Sequence, residues 1–168
     1  FGNLKEGVNN LNRVVTEILQ YTRTLKLSLS MQQMGMVIEE TLNRLQNDIR
    51  GKNIRVQKHF DSNLPPVRLD AVLMGQVLQN IIQNSIEAMS KGGTLEIFFG
   101  PAEQKENHAK IAVKDSGTGL APSETEKIFH PMYTTKTSGT GLGLSLSLRF
   151  IEAHRGKMWA TNNSEKGV

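Results

Sequence analysis

The sequence predicts an α+β fold: a small mixed sheet with helices on one face, preceded by a bundle helix. Three observations carry this. Leu4, Val8, Leu11, Val15, Ile18, Thr22 and Leu25 recur at alternating steps of four and three, the seam of a coiled coil or helical bundle. Later stretches at about 33–50, 70–89 and 143–154 place apolar residues at helical spacing. Short segments at 54–60, 94–99 and 110–114 have the alternation of strands.

The first helix carries Asn9, Asn10, Arg13, Glu17 and Arg23 off its seam. A single helix cannot bury its own apolar stripe, so this one needs a partner, which a second copy would supply. The seam fades near Leu27–Ser30, where a hinge is expected. Met34, Ile38, Leu42, Leu45 and Ile49 lie along one face of the next helix, and Gly51 is placed to end it. Ile54, Val56 and Lys58 alternate with Arg55, Gln57 and His59 in a strand. Pro65-Pro66 breaks the chain before a short extended piece, 67–69, and Asp70 is suited to cap a helix running to about Met89. Lys91-Gly92-Gly93 turns the chain, and the strands at 94–99 and 110–114 read as antiparallel neighbours around a polar loop, 103–108. A Gly- and Thr-rich loop spans 116–141, with one helical turn near 123–128. A last helix follows, and 158–161 reads as the start of another strand.

Composition narrows the function. At 168 residues and 38% hydrophobic content the chain can form a core, as one domain, alone or with an appendage. Without cysteine it has neither disulfides nor thiolate metal sites. No apolar run approaches the roughly 18 residues of a membrane helix, and a cytoplasmic location without membrane contact is expected. The net charge of +4 suits a small polyanion better than nucleic acid, and basic residues do not interleave with aromatics. Phe1 is not a natural start, so the chain reads as a piece of a longer protein whose final strand is cut short.

Four short stretches carry the candidate chemistry. On the helix around "NIIQN", Gln76, Asn80, Asn84 and Glu87 fall on one narrow arc at about 100° per residue. That arc is either a solvated face or a row of oxygens aimed at a hard cation such as Mg²⁺. In "IAVKDSGTGL", Asp115 shares strand parity with Ile111 and Val113 and so points with the apolar face. An inward carboxylate needs a donor, such as a purine amino group, though Asp-Ser-Gly is also ordinary turn chemistry. "KTSGTGLGLSLSLRF" sets Gly139, Gly141 and Gly143 at the start of a helix, where free N–H groups suit phosphate. It is neither a dinucleotide fingerprint, since Leu144 fills the third glycine position counted from Gly139, nor a P-loop, since no Gly-Lys-Ser/Thr occurs. A flexible loop before an ordinary helix is the plain alternative.

Taken in order, "NIIQN", "DSGTG", "IFHPMYTTK" and "GTGLGL" resemble the N, G1, F and G2 boxes of the ATP-binding catalytic domain of sensor histidine kinases, in the superfamily shared with gyrase, Hsp90 and MutL. "NSIEAM" and "PMYTTK" look most like the NtrB-like branch. The resemblance implies the Bergerat fold, a two-layer α/β sandwich, over 31–168, and the second helix of a dimerisation and histidine-phosphotransfer hairpin over 1–30. It implies ATP and Mg²⁺ as cofactors, with Asn80 and Asn84 on Mg²⁺ and phosphate oxygens and Asp115 on the adenine amino group. Glu87, Gly117 and Gly119 belong to the same implied site. Ala88, Leu120 and Leu144 would pack around the base. Thr135, Lys136, Gly139, Thr140, Gly141, Leu142 and Gly143 would form the lid and the phosphate-facing helix start.

The implied reaction transfers the γ-phosphoryl group of ATP to a histidine, for relay to a response-regulator aspartate, within a homodimer joined through the bundle helices. The chain contains no H-E-x-x-x-P-like acceptor motif, so the fragment is not expected to autophosphorylate. His59, His108, His130 and His154 are expected in surface or packing roles, His130 where the family often has an acid. Trp159 is expected in the core. A serine kinase of the anti-sigma-factor type would lack the heptad helix, and a gyrase- or MutL-type clamp would have an acid in place of Asn80. A non-catalytic nucleotide-binding module is the alternative of a different class.

Overall fold

Helical periodicity and strand alternation both translate into the fold seen in a computed structural model, which describes residues 7, 11, 15–16, 18–19, 21–22, 24–61, 64–102, 108–136, 139–163 and 167–168. Every described residue from 7 to 22 is helical. On this helix the seam residues Leu11 and Val15 are 64% and 47% exposed, an apolar stripe without cover in the single chain. Leu4 and Val8, with the flanking Asn9, Asn10, Arg13, Glu17 and Arg23, lie outside the described residues. The hinge stretch 24–29 has no regular structure.

The elements that follow are β1 (Ser30–Gln32), α1 (Met34–Arg44), α2 (Gln46–Gly51), β2 (Ile54–Phe60), β3 (Val67–Leu69), α3 (Ala71–Ala88), β4 (Gly93–Pro101), β5 (Ala109–Asp115), a 3₁₀ turn (Lys127–Phe129) and α4 (Gly143–Ala153). The helix expected over 33–50 is broken at Leu45, whose N–H is shared between the carbonyls of Thr41 and Leu42, each at 3.2 Å. The break costs little, because Leu42, Leu45 and Ile49 all stay buried.

β2 runs parallel to β4, and β4 antiparallel to β5, giving a mixed three-stranded sheet. β1 and β3 form a separate antiparallel pair. Strand parity sends Ile54, Leu95, Ile97 and Phe99 to one face, where they share a single core with Met34 and Ile38 of α1, Leu78, Ile82 and Ile86 of α3, and Leu146 and Phe150 of α4. Helices thus cover one side of the sheet, in the two-layer arrangement expected. On the other side His59 stacks on Phe98, ring centroids 4.5 Å apart.

Asp70 caps α3 as its sequence position suggests, its Oδ1 accepting from the N–H groups of Val72 and Leu73 at 3.1 Å each. Two expectations are corrected. Residues 158–161 are not a strand: a strand exists by its ladder, and these make none with the described residues. Trp159 is not in the core but 64% exposed, because the segment runs over the surface instead of entering the sheet.

Candidate nucleotide site

One helix supplies the wall on which the four motifs meet. On α3, Asn84 follows Asn80 by four residues, and Glu87 and Ala88 follow Asn84 by three and four, so all lie toward one side of the helix. Between them they contact three other parts of the chain. Asn80 Nδ2 donates to the Gly143 carbonyl at 3.0 Å and to Ser147 Oγ at 3.1 Å, fastening α3 to the first turn of α4. Asn84 Oδ1 accepts from the Lys136 ammonium at 2.6 Å, and Glu87 pairs with the same ammonium through Oε2. Ala88 meets the loop after β5: a Cβ on Gly117 would lie 2.8 Å from Ala88 Cβ and 2.9 Å from its carbonyl oxygen, so only glycine fits there.

Asp115 ends β5 and is 5% exposed. Its Oδ1 accepts from the Gly117 N–H at 2.9 Å and, more distantly, from the Val168 N–H at 3.5 Å. Among the described residues Oδ2 has no hydrogen-bond partner. One oxygen of this largely buried carboxylate is thus held and the other is open to an N–H donor from outside the chain. Gly119 and Leu120 follow, half-buried, at the start of the long loop.

That loop is closed on itself by polar contacts. The Glu124 carboxylate takes the Ala121 N–H at 2.8 Å on one oxygen and the Tyr133 hydroxyl at 3.1 Å on the other. The Tyr133 hydroxyl is thereby held above its usual range, by desolvation first and then by the hydrogen bond and charge of Glu124. The Met132 N–H donates to the Gly141 carbonyl at 3.0 Å. Gly141 has φ +68°, and a Cβ there would sit 2.7 Å from Tyr133 N. Its glycine is therefore demanded by the "PMY" backbone crossing it. A Cβ on Gly139 would meet the side chain of Thr134, while one on Gly143 would make only ordinary contact with Asn80, at 3.5 Å.

The remaining expected residues divide. Thr140 Oγ1 accepts from the Leu142 N–H at 3.3 Å, helping to shape the start of α4, and Thr135 is exposed. Leu144 is half-buried, whereas the Leu142 side chain is 3% exposed and belongs to the core, leaving only its backbone to face a ligand. α4 has no side-chain N-cap, so its first N–H groups stay available. Ser147 and Glu124 were not singled out from sequence; a helical serine and a surface glutamate carry no local signal, and their partners are distant in the chain.

The family model for "Histidine kinase-, DNA gyrase B-, and HSP90-like ATPase" matches residues 69–168. The chain belongs to this family. Among curated relatives it is 36% identical to the signal transduction histidine-protein kinase AtoS of Escherichia coli over 91% of its own length and 25% of that protein's. It is 33% identical to the sensor histidine kinase ZraS of Salmonella typhimurium over 98% of its length and 35% of that protein's. The chain thus spans about a quarter to a third of the length of these relatives. Among solved structures, the nucleotide-free catalytic domain of histidine kinase ThkA superposes with a TM-score of 0.74 at 32% identity, covering 83% of this chain and 92% of that one. ThkA in complex with its response regulator TrrA superposes with a TM-score of 0.81 at 29% identity, covering 97% of this chain and 46% of that one.

Proposed function

We infer that this chain binds Mg-ATP and is the ATP-binding part of a two-component sensor histidine kinase. The buried Asp115 carboxylate, with Oδ1 held and Oδ2 uncommitted beside a glycine-only gap, is the observation that carries the reading. A carboxylate accepts the 6-amino group of adenine and not the 6-carbonyl of guanine. The oxygens of Asn84 and Glu87 already attract one cation, the Lys136 ammonium, and the amide oxygen of Asn80 has no partner among the described residues. Such a set suits a hard divalent ion completed by phosphates and water. Asn80 can offer only that oxygen, since its amide nitrogen is spent on α4. The uncapped start of α4 suits phosphate oxygens.

Bound ATP would supply the phosphoryl group: the bond to the β-phosphate oxygen breaks as one forms to an imidazole nitrogen, and ADP leaves. The residues here position and neutralise. Asp115 would fix the base, the oxygens of Asn80, Asn84 and Glu87 would hold the cation, and Lys136 would move from carboxylate to phosphate as a point charge. The loop from 116 to 141 excludes water over the reacting end. The acceptor histidine would lie on a helix not contained in these residues.

The domain division rests on the same reading, with 1–30 as part of the dimerisation and phosphotransfer hairpin and 31–168 as the ATP-binding domain. Pairing of β1 with β3 and burial of Met34 and Ile38 in the common core support a domain that starts well before residue 69. The uncovered stripe through Leu11, Val15 and Ile18 supports a homodimer of the parent protein, and the ThkA complex supports a response regulator as its partner. "NSIEAM" and "PMYTTK" support the NtrB-like branch.

Calorimetry tests the site: ATP binding that needs Mg²⁺ and is absent with GTP is expected. Label from γ-³²P-ATP should then appear on a separately supplied hairpin domain carrying the acceptor histidine. A folded chain that binds no ATP refutes the site, and binding without transfer to any such hairpin favours a non-catalytic nucleotide module.

A further inference from the structure

Past α4 the chain crosses the surface without regular structure and returns beside β5 at 167–168. Two adjacent asparagines on this return grip the end of β5 at Asp115 and the start of the following loop at Leu120. Asn162 embraces the backbone of Leu120: its Oδ1 accepts the Leu120 N–H at 2.8 Å and its Nδ2 donates to the Leu120 carbonyl at 2.6 Å. Asn163 Nδ2 donates to the carbonyl of Asp115 at 2.9 Å, while its own N–H donates to the Gly167 carbonyl at 2.9 Å. The Asp115 N–H in turn donates to the Val168 carbonyl at 2.8 Å.

Both backbone polar groups of Asp115 are therefore tied to the returning segment, and the root of its side chain is fixed from two sides. Gly167, at φ +93°, is required for this approach, since a Cβ there would sit 2.9 Å from Asp115 Oδ1. Asparagine turn chemistry reaches two or three residues along the chain. These bonds cross 42 and 48 residues, so they are tertiary and local turn formation does not explain them. Two backbone bonds on one exposed side chain also need a reason, because ordering it has an entropic cost.

We propose that Asn163 is the positioning residue for base selection, aiming the Asp115 carboxylate, and that Asn162 anchors the stem of the loop that closes over the nucleotide. This rests on the nucleotide-site reading above. The two roles separate experimentally: loss of Asn163 erodes discrimination between bases, while loss of Asn162 weakens every nucleotide alike.

The test measures binding of ATP and of purine riboside triphosphate, which lacks the 6-amino group, by calorimetry on the full 168-residue chain. In the parent chain ATP should bind about ten- to a hundredfold tighter, the worth of one charge-assisted hydrogen bond. Asn163→Ala and the isosteric Asn163→Asp, which cannot donate to the Asp115 carbonyl, should both reduce that ratio by about threefold or more while circular dichroism shows the fold intact. Asn162→Ala should weaken both ligands together by about three- to tenfold and leave the ratio unchanged. A purely structural role would lower thermal stability without moving the ratio.

An unchanged ratio in a folded Asn163 variant overturns the selection role. Asn162 is exposed and its replacement is the one least able to disturb folding. Parental ATP affinity in Asn162→Ala overturns the stem role. If the parent chain binds ATP but these variants do not behave as stated, only this inference fails. If the parent chain binds no ATP, the site reading fails with it.

Discussion

Gly141 and Gly143 look alike in "GTGLGL", yet the structure assigns them opposite tolerances to alanine. Gly141→Ala forces a side chain onto φ +68°, at about 1–2 kcal/mol, and drives its Cβ into the Met132–Tyr133 backbone, where overpacking adds about 1–3 kcal/mol. Together, about 2–5 kcal/mol is set against the closed loop, enough to depopulate it at least tenfold. Gly143→Ala puts its Cβ 3.5 Å from Asn80, an ordinary contact, at the first residue of α4, where alanine favours the helix by up to about 1 kcal/mol. The assay is amide hydrogen exchange at Met132, whose N–H bonds the Gly141 carbonyl. Protection there should collapse in Gly141→Ala and persist in Gly143→Ala, while the amides of Ile82 and Ile97 keep parental rates in both. Equal Met132 protection in Gly141→Ala and the parent chain would refute the reasoning.

Asp115→Asn should cost ATP affinity about ten- to a hundredfold, since an amide retains one acceptor but can turn an N–H toward the base; unchanged calorimetric binding contradicts the assignment. Lys136→Met removes an exposed pair worth at most about 1 kcal/mol, so the melting temperature should hold while proteases cut the loop faster without nucleotide. Equal cutting would mean that the pair does not hold the loop. The raised Tyr133 value means that the folded chain favours the protonated phenol. Its contribution should be whole below about pH 10, the unfolded value, and fade as pH rises through the higher folded value. Glu124→Gln should move the Tyr133 tyrosinate absorbance step to lower pH, and an unmoved step rules out the Glu124 coupling. Ile82→Ala, at a position with 0% exposure, should destabilise by about 2–5 kcal/mol in denaturant unfolding.

What was legible in the sequence was what the chain says locally. The α3 periodicity, its Asp70 cap and the inward parity of Asp115 are properties of neighbouring residues, and they translate directly into structure. Pairings across the chain were not legible. Nothing in 54–60 announces that it runs parallel to β4, because parallel partners share no turn. The glycines were legible as positions of freedom, but not for their cause: Gly141 is glycine because Met132 and Tyr133 cross it, and Gly117 because Ala88 touches it. The strand expected at 158–161 failed for the same reason. Local sequence proposes a strand, whereas a ladder decides it, and these residues form none with the described strands.

The division of labour between α4 and the loop before it follows from the kinds of contact each makes. α4 is held at its start by Asn80, and just past its end His154 Nε2 accepts the Asp70 N–H at 3.0 Å. Asp70 Oδ2 takes the Ser28 N–H at 2.9 Å, and Arg149 donates to the Tyr21 carbonyl and lies 5.6 Å over its ring. With Leu146 and Phe150, and Leu142 just before its start, in the core, α4 packs with α3 as one body, while the bundle helix touches it through the Arg149–Tyr21 contact. The described residues of 118–141 contribute no hydrophobic side chain to that core. Their ties include the Asn162 grip on Leu120 at the stem, the Glu124–Tyr133 and Met132–Gly141 bonds within the loop, and the exchangeable hold of Lys136 on Asn84 and Glu87. Segments held by few apolar contacts open at a small fraction of the global unfolding free energy. The loop can therefore open while α3, α4 and Asp115 keep their places, and at the proposed site a Lys136 drawn to phosphate would leave the Asn84 and Glu87 oxygens for a divalent ion.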